Sequence, residues 1–322
     1  MKLLVTGAAG LLGTELCLQA RATGHEVVGV DNCSRYTLLG EDGPRPQQQN
    51  LDVLKAAGIE VLRQDFRDLD TLAGIDAIVH SAAQVCHSRK ADDPLGDLFT
   101  NVIGTVELLE NARSSETPFL FISSSKVYGE NFDHDFVNLD EGEGVCELCP
   151  LGDQTHITFF GASKVAADLF CQQYGRQYEF PVGVFRPGCF TGRWALAAEA
   201  QNWLPWLVHC AKTGRPFTMF GDGQQTRDLL HVADLADACL RWCSEPTTDV
   251  WNIGGGADCA LTLQEAIERV QALVGRKIDI QRAEPRPGDI GRLVIDSRKF
   301  EDDYGWTPQK SLDDTFAEAV LP

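Results

Sequence analysis

Short apolar and β-branched runs recur along the first two-thirds of the chain, at residues 2–6, 26–31, 60–63, 77–80, 119–123 and 182–186. Helical patterns lie between them, near 11–22, 94–113 and 160–178. Strand–helix alternation with apolar strands predicts a parallel sheet covered on both faces. Right-handed crossovers make this a doubly wound α/β sheet. After about residue 190 the pattern changes. Trp203 and Trp206 sit one helical turn apart in an apolar stretch and read as core. Gly221-Asp-Gly223 is a turn signal, residues 234–243 and 263–274 read as helices, and Arg286-Pro-Gly-Asp289 opens an irregular segment. The chain is thus expected in two interleaved parts. A doubly wound domain covers 1–190, and later segments return to it. A smaller lobe over 191–322 caps the sheet's carboxyl edge.

Composition narrows the function classes. The 322 residues are 43% apolar and 23% charged, enough for an ordinary core without staples. The formal net charge of -19 argues against a nucleic-acid partner and against an anionic membrane surface. An anionic substrate would need a local basic pocket, so individual arginines become informative. Met1 and Lys2 lead straight into the first strand, and no apolar run reaches membrane-spanning length, so a cytoplasmic protein is expected. Eleven cysteines at scattered spacings read mostly as buried small hydrophobes. Cys146-Glu-Leu-Cys149 is a lone CxxC. Neither a second pair nor His156 and Cys171 completes a zinc set, and no metal is expected.

The first candidate chemistry lies at the first strand-to-helix turn, Gly7-Ala-Ala-Gly10-Leu-Leu-Gly13. Gly7 permits a tight turn, Gly10 lets backbone approach a pyrophosphate, and Gly13 permits close helix–sheet packing. The amides at the helix start, on Leu11, Leu12 and Gly13, suit a phosphate. Asp31 ends the next strand at the distance expected of a carboxylate that accepts from both ribose hydroxyls. It favours NAD over NADP, whereas Arg35 weakens that preference. Asn32 and Ser34, beside Asp31, join the cofactor set.

Four further runs make the resemblance specific. They are Asp65-Phe-Arg-Asp68, His80-Ser-Ala-Ala-Gln84, Asn101-Val-Ile-Gly-Thr105 and Ser123-Ser-Ser-Lys-Val-Tyr-Gly129. With the glycine turn they resemble, nearly end to end, the extended short-chain dehydrogenase/reductases that epimerise or dehydrate nucleotide sugars. The resemblance implies a Rossmann fold and NAD. It adds Asp65, Phe66, Ala82, Ala83, Gln84, Asn101, Ser123, Lys164, Arg186 and Pro187 to the cofactor side. Gln225-Thr-Arg-Asp-Leu-Leu-His231 is similar to a family run whose arginine, here Arg227, meets the substrate diphosphate. Asp228 and His231 of that run read as structural. Cys86, Ser124, Ser125, Cys189, Arg193, Arg286 and Arg292 complete the substrate set.

In this family a tyrosine of a Y-x-x-x-K motif exchanges the sugar hydroxyl proton, a lysine lowers its pKa, and a serine or threonine shares the hydroxyl. Ser124 and Lys164 fall at two of those positions. The tyrosine position holds Phe160, which cannot carry a proton, with Phe159 before it. Four readings stay open. Another group acts (Cys86, His87, Cys189, Tyr128 or His156); the chain is a Tyr-to-Phe variant that traps substrate; it is a binding or regulatory protein; or chemistry runs slowly through Ser124 and water.

Local runs such as Gln84-Val85, Lys126-Val-Tyr-Gly129 and Gln201-Asn-Trp-Leu-Pro-Trp206 are most similar to family members that epimerise C2 of a CDP-linked hexose. C4 epimerisation and decarboxylation are alternatives. Dehydration is disfavoured, because Ser125-Lys126 stand where dehydratases carry Asp-Glu. The resemblance also implies a homodimer packed through the helices near 95–113 and 160–178.

Overall fold

The computed structural model describes residues 1–34, 46–69, 71–85, 93–128, 158–199, 202–285 and 290–321. Its first half repeats one unit. A short apolar strand rises through the core, and a helix carries the chain back across a face. The elements are β1 (Lys2–Thr6), α1 (Leu11–Ala22), β2 (Glu26–Val30), α2 (Pro46–Ala56), β3 (Glu60–Leu62) and β4 (Ala77–His80). Helical residues Pro94–Gly96 and the π-helical stretch Asp97–Ile103 then run without a break into α3 (Gly104–Ser114). After these come β5 (Phe119–Ile122), a 3₁₀ turn Ser125–Tyr128, α4 (Phe159–Tyr178) and β6 (Val182–Pro187). The expected elements are all present. Strands two, three and five stop one residue early, at Val30, Leu62 and Ile122, and β6 runs one residue further.

These strands form one parallel sheet in the order β3-β2-β1-β4-β5-β6, and a seventh strand, β10 (Asp249–Ile253), joins beyond β6. The order reverses between β1 and β4. In open parallel sheets that reversal opens a crevice beyond the strands' carboxyl ends. Both faces are covered. Every residue of β4 and β5 is buried. One face packs Leu3, Val5, Leu120 and Phe185 against Leu16 and Trp242, and the other packs Leu4, Ile78, Phe119 and Phe121 against Leu108 and Leu109. Double-sided burial is why the strands read as continuous apolar runs.

The later part adds β7 (Cys189–Thr191), α5 (Trp203–Thr213), β8 (Phe217–Phe220), β9 (Thr226–His231), α6 (Val232–Ser244), β11 (Ala260–Thr262), α7 (Leu263–Val274), β12 (Ile280–Ala283), β13 (Arg292–Leu293), α8 (Arg298–Tyr304) and α9 (Leu312–Ala319). β9 is its hub: β11 pairs with it antiparallel, and β7 and β13 pair with it in parallel. A second core of Leu204, Leu207, Phe217, Leu229, Ile267 and Phe316 lies here, and Trp203 and Trp206 pack against it. Meanwhile Trp242 of α6 lies in the main core. Among the described residues no helix is long and apolar enough to cross a membrane.

Candidate active site

The glycine turn shows its reasons atom by atom. Gly7 has φ of +71°, and a Cβ there would lie 2.9 Å from the Ala82 nitrogen. A Cβ on Gly13 would lie 2.1 Å from the Gly7 carbonyl oxygen, so α1 meets the loop at backbone contact. Helix α1 starts at Gly10 with no side-chain cap and no carboxylate in its first turn. The leading amides of Leu11, Leu12 and Gly13 therefore keep their donors for an anion, at the positive end of the helix dipole. Asp31 Oδ2 accepts from the Ala9 amide at 2.9 Å and Oδ1 from Cys33 at 2.8 Å, which fixes the carboxylate beside the loop. Uncapped amides and a fixed carboxylate at the sheet's switch point fit a dinucleotide.

The residues that follow Asp31 are also ordered by local bonds. Asn32 Nδ2 donates to Asp65 Oδ2 at 3.0 Å, and the Ser34 amide donates to Asn32 Oδ1 at 3.0 Å. Arg67 holds Asp65 through two side-chain bonds of 2.8 and 2.9 Å, which keeps that carboxyl below its ordinary range. Phe66 is buried and stands edge-on to His80 at 4.8 Å.

His80 joins the strand end to the neighbouring helix. The Ala82 amide donates to Thr6 Oγ1, which lies 2.7 Å from His80 Nδ1. On its other side His80 Nε2 lies 3.1 Å from Thr105 Oγ1, whose own hydrogen goes to the Asn101 carbonyl. With the Thr105 proton committed to the Asn101 carbonyl, Nε2 carries the imidazole proton and donates to Thr105, while Nδ1 accepts from the Thr6 hydroxyl. Burial, reinforced by Lys164, pushes His80 down to about 3, so it is a neutral structural group. Asn101 exchanges bonds with the Gln84 backbone at 2.8 and 3.0 Å and also donates to Ser163 at 2.9 Å. Ala82, Ala83 and Gln84 are thereby held along the crevice wall.

Helix α4 presents the candidate chemistry. Thr158 caps it, accepting from the Gly161 amide at 3.0 Å. Phe160, Lys164 and Asp168 follow at four-residue intervals and so share one face. Phe160 is half-buried, while Lys164 and Asp168 are buried. Lys164 Nζ donates to the Ile122 carbonyl at 2.9 Å and lies 4.6 Å from the Phe121 ring centre. Burial lowers Lys164 to about 8, against upward pulls from Cys171, Asp168 and Asp97. Ser124 stands two residues after the gripped strand end. It is half-buried, and its Oγ accepts from the Lys126 amide at 3.1 Å. Ser124 thus keeps its proton to donate elsewhere. Ser125 is buried.

Lys164 gives a signed stability prediction. Between pH 8 and 10.5 the unfolded chain holds this proton and the folded chain does not, so the lysine's burial penalty disappears as pH rises. Lys164→Met should therefore gain on the parent at pH 7 by as much as about 3 kcal/mol. Urea melts of both proteins should show the gap narrowing across that window. A gap unchanged with pH would mean that Lys164 titrates at its ordinary value.

The remaining candidates divide. Cys189 is half-buried at the start of β7, and burial raises its thiol above the ordinary range against the lowering pull of Arg227 and Lys126. Arg227 Nη1 donates to the Thr226 carbonyl at 2.7 Å. Arg193 is exposed, with its amide on Glu318 and its guanidinium 5.3 Å from the Trp194 ring centre. Arg292 is exposed on β13, and Pro187 ends β6 buried. Asp228 Oδ2 accepts from the Gly255 and Gly256 amides at 2.8 and 3.2 Å, and burial raises it to about 7. His231 caps α6 through the Ala233 amide at 3.1 Å. Arg186 is 4% exposed, with its guanidinium turned onto Asp168. Arg35, Cys86, His87, Cys146, Cys149, His156 and Arg286 lie outside the described residues.

Three structural residues lie outside every recognised run: Asn50, Glu15 and Asp168. Asn50 of α2 donates to the Ala9 carbonyl at 3.0 Å and the Trp194 carbonyl at 3.4 Å. Glu15 of α1 accepts from the Trp194 indole at 2.6 Å. Asn50 ties the glycine loop, and Glu15 ties helix α1, to the later part of the chain. Asp168 could have been suspected from its place one turn after Lys164.

The family model described as the NAD dependent epimerase/dehydratase family matches residues 3–254. The chain belongs to that family. CDP-paratose 2-epimerase of Salmonella typhi is 30% identical, covering 98% of this chain and 96% of its own length. UDP-glucose 4-epimerase of Mycolicibacterium smegmatis is 28% identical, covering 99% and 97%. Among solved structures, UDP-glucuronic acid 4-epimerase from Bacillus cereus, in complex with UDP-glucuronic acid and NAD, superposes with a TM-score of 0.83 at 25% identity, covering 99% and 98%. The cofactor of this family member is NAD, and the glycine turn, the uncapped start of α1 and Asp31 are the residues that would hold it.

Proposed function

We propose that this family member is a nucleotide-sugar epimerase that oxidises one sugar hydroxyl transiently and restores it with inverted configuration. The hydroxyl is the C2 hydroxyl of a CDP-linked hexose. One juxtaposition carries the reading: Lys164, one helical turn from position 160, grips the strand end that leads into Ser124, at the same sheet edge as the glycine turn. Bound NAD supplies a reversible hydride acceptor. Ser124 Oγ accepts from the reacting hydroxyl while its own proton passes to water, and Lys164 places a cation behind it. Phe160 offers no proton acceptor, so the hydroxyl proton leaves by way of Ser124 and water and turnover is slow. The 30% identity to a CDP-paratose 2-epimerase supports the choice of nucleotide and carbon. Ser125 and Lys126 cannot supply a carboxylic acid and carboxylate pair, which weighs against dehydration.

The test is direct. The NAD-loaded protein is incubated with CDP-, UDP-, GDP- and dTDP-sugars, and products are separated and read by NMR. A CDP-hexose epimer at C2 supports the proposal. A C4 epimer would move the reacting carbon, and no product from either this protein or its Phe160→Tyr variant would point to a binding role.

We propose also that the protein works in the cytoplasm and as a homodimer. Leu98, Phe99, Leu169 and Phe170 are 43–48% exposed, on the Asp97–Ile103 stretch and on α4, which pack together. Such large apolar side chains clustered on two neighbouring helices suit a two-fold helical interface. Leu169→Asp with Phe170→Asp should give a monomer by light scattering. A monomeric parent would remove the proposal.

A further inference from the structure

One buried ion pair holds both ends of the segment that carries Ser124. Asp168 is fully buried, and its carboxylate takes four hydrogen bonds. Oδ2 accepts from Ser123 Oγ at 2.7 Å and from Arg186 Nε at 2.9 Å, and Oδ1 accepts from Arg186 Nη2 at 2.9 Å and Gln172 Nε2 at 2.7 Å. Ser123 immediately precedes Ser124. At the end of the 3₁₀ turn, Arg186 Nη1 donates to the Tyr128 hydroxyl at 3.2 Å, and that hydroxyl donates to Asn252 Oδ1 at 2.5 Å. Lys164, on the same face of α4 as Asp168, bonds Ile122 one residue before Ser123. Residues 122, 123 and 128 are therefore all gripped from below, and Ser124 projects from the span between them.

We propose that Asp168 and Arg186 are positioning residues, whose ion pair fixes Ser124 relative to Lys164 and so sets where the substrate hydroxyl is met. The proposal rests on the epimerase reading for its kinetic consequence, though not for its geometry. It also gives Arg186 a task other than contact with the cofactor. A buried ion pair can often be exchanged for apolar groups of similar volume without loss of stability. Stability therefore does not account for its presence, whereas placement does. A reacting group displaced by about 1 Å typically costs on the order of 100-fold in rate.

The experiment uses the full chain carrying Phe160→Tyr, which restores a proton carrier, and compares it with the same chain carrying Asp168→Leu and Arg186→Met, or Arg186→Lys alone. The double replacement removes both charges of the pair together, so neither is left without the other. It should fold cooperatively and bind NAD as its parent does, yet lose on the order of 100-fold in kcat with KM little changed. Arg186→Lys keeps the charge but cannot reach Asp168 twice and Tyr128 at once, so its kcat should fall between the two. A crystal structure of the double variant should show Ser124 displaced by about 1 Å. Ser124 unmoved, kcat unchanged, or a loss confined to NAD affinity would overturn the proposal. If neither parent turns over, the epimerase reading fails and the position of Ser124 still decides the matter. If the double variant does not fold, the kcat and crystal structure of Arg186→Lys decide it.

Discussion

Phe160→Tyr should raise kcat by about 10²- to 10⁴-fold, the usual range for a placed general acid–base. That is roughly 3 to 5 kcal/mol off the barrier. The position is prepared for it. Residue 160 stands in the first turn of α4, on the face that carries Lys164, with Thr158 capping the helix at its start. A phenol there would add one hydroxyl to a half-buried ring, so the fold should accept it with little change in stability. The gain should appear in kcat while KM stays near the parent's, because a proton carrier acts in the transition state rather than in binding. The cation at Lys164 favours tyrosinate, so activity should rise with pH at values below the ordinary tyrosine pKa of about 10. Steady-state kinetics of the two proteins on the same nucleotide sugar decide the matter. Equal rates would show that position 160 does not carry the proton, and Cys189→Ser and Tyr128→Phe would be compared next.

Fold and site were not equally legible, and the difference is physical. β4 and β5 announce themselves because both their faces are buried, which leaves unbroken apolar runs. The glycine turn is legible because backbone contact admits no other residue. Helix α2 escaped notice: its Pro46-Gln-Gln-Gln-Asn50 start has no apolar face, and Asn50 fixes it by tertiary bonds to Ala9 and Trp194. The π-helical stretch Asp97–Ile103 was read as ordinary helix, since side-chain periodicity does not resolve so short a change of winding. The strands around β9 are two to six residues long and pair across long separations, so they carry almost no local signal. The resemblance puts Arg186 on the cofactor side. Its pairing with Asp168 is set by helix α4, 18 residues away in sequence. Ser124 and Lys164 could be placed by motif, but what holds them could not.

Within the glycine turn, Gly13→Ala and Gly10→Ala should fail in different ways. A Cβ on Gly13 would lie 2.1 Å from the Gly7 carbonyl oxygen and 2.7 Å from the Ala8 Cα. Both are backbone atoms, so no side chain can rotate to make room. Gly7 is itself held by its amide on the Val30 carbonyl at 2.8 Å, and Ala8 by the same carbonyl at 3.2 Å. Helix α1 must therefore shift as a body, away from a core that includes Leu16 and Cys17. Overpacking of this kind costs about 3 kcal/mol or more in its severe cases. Gly13→Ala should lose that much in urea unfolding and bind NAD at least ~100-fold more weakly, since the leading amides of α1 move with the helix. A Cβ on Gly10 would meet only the Gly7 oxygen, at 3.0 Å, from ordinary extended backbone with φ of -78°. Gly10→Ala should therefore keep its stability within about 1 kcal/mol, because relief needs only a few tenths of an ångström. It should still weaken NAD, because the added methyl stands where the pyrophosphate must approach. Titration of NAD against each protein, beside its unfolding curve, separates the two effects. Equal stability losses would mean that the loop yields more easily than its backbone contacts imply. Undiminished NAD affinity in Gly10→Ala would place the pyrophosphate elsewhere than on this turn.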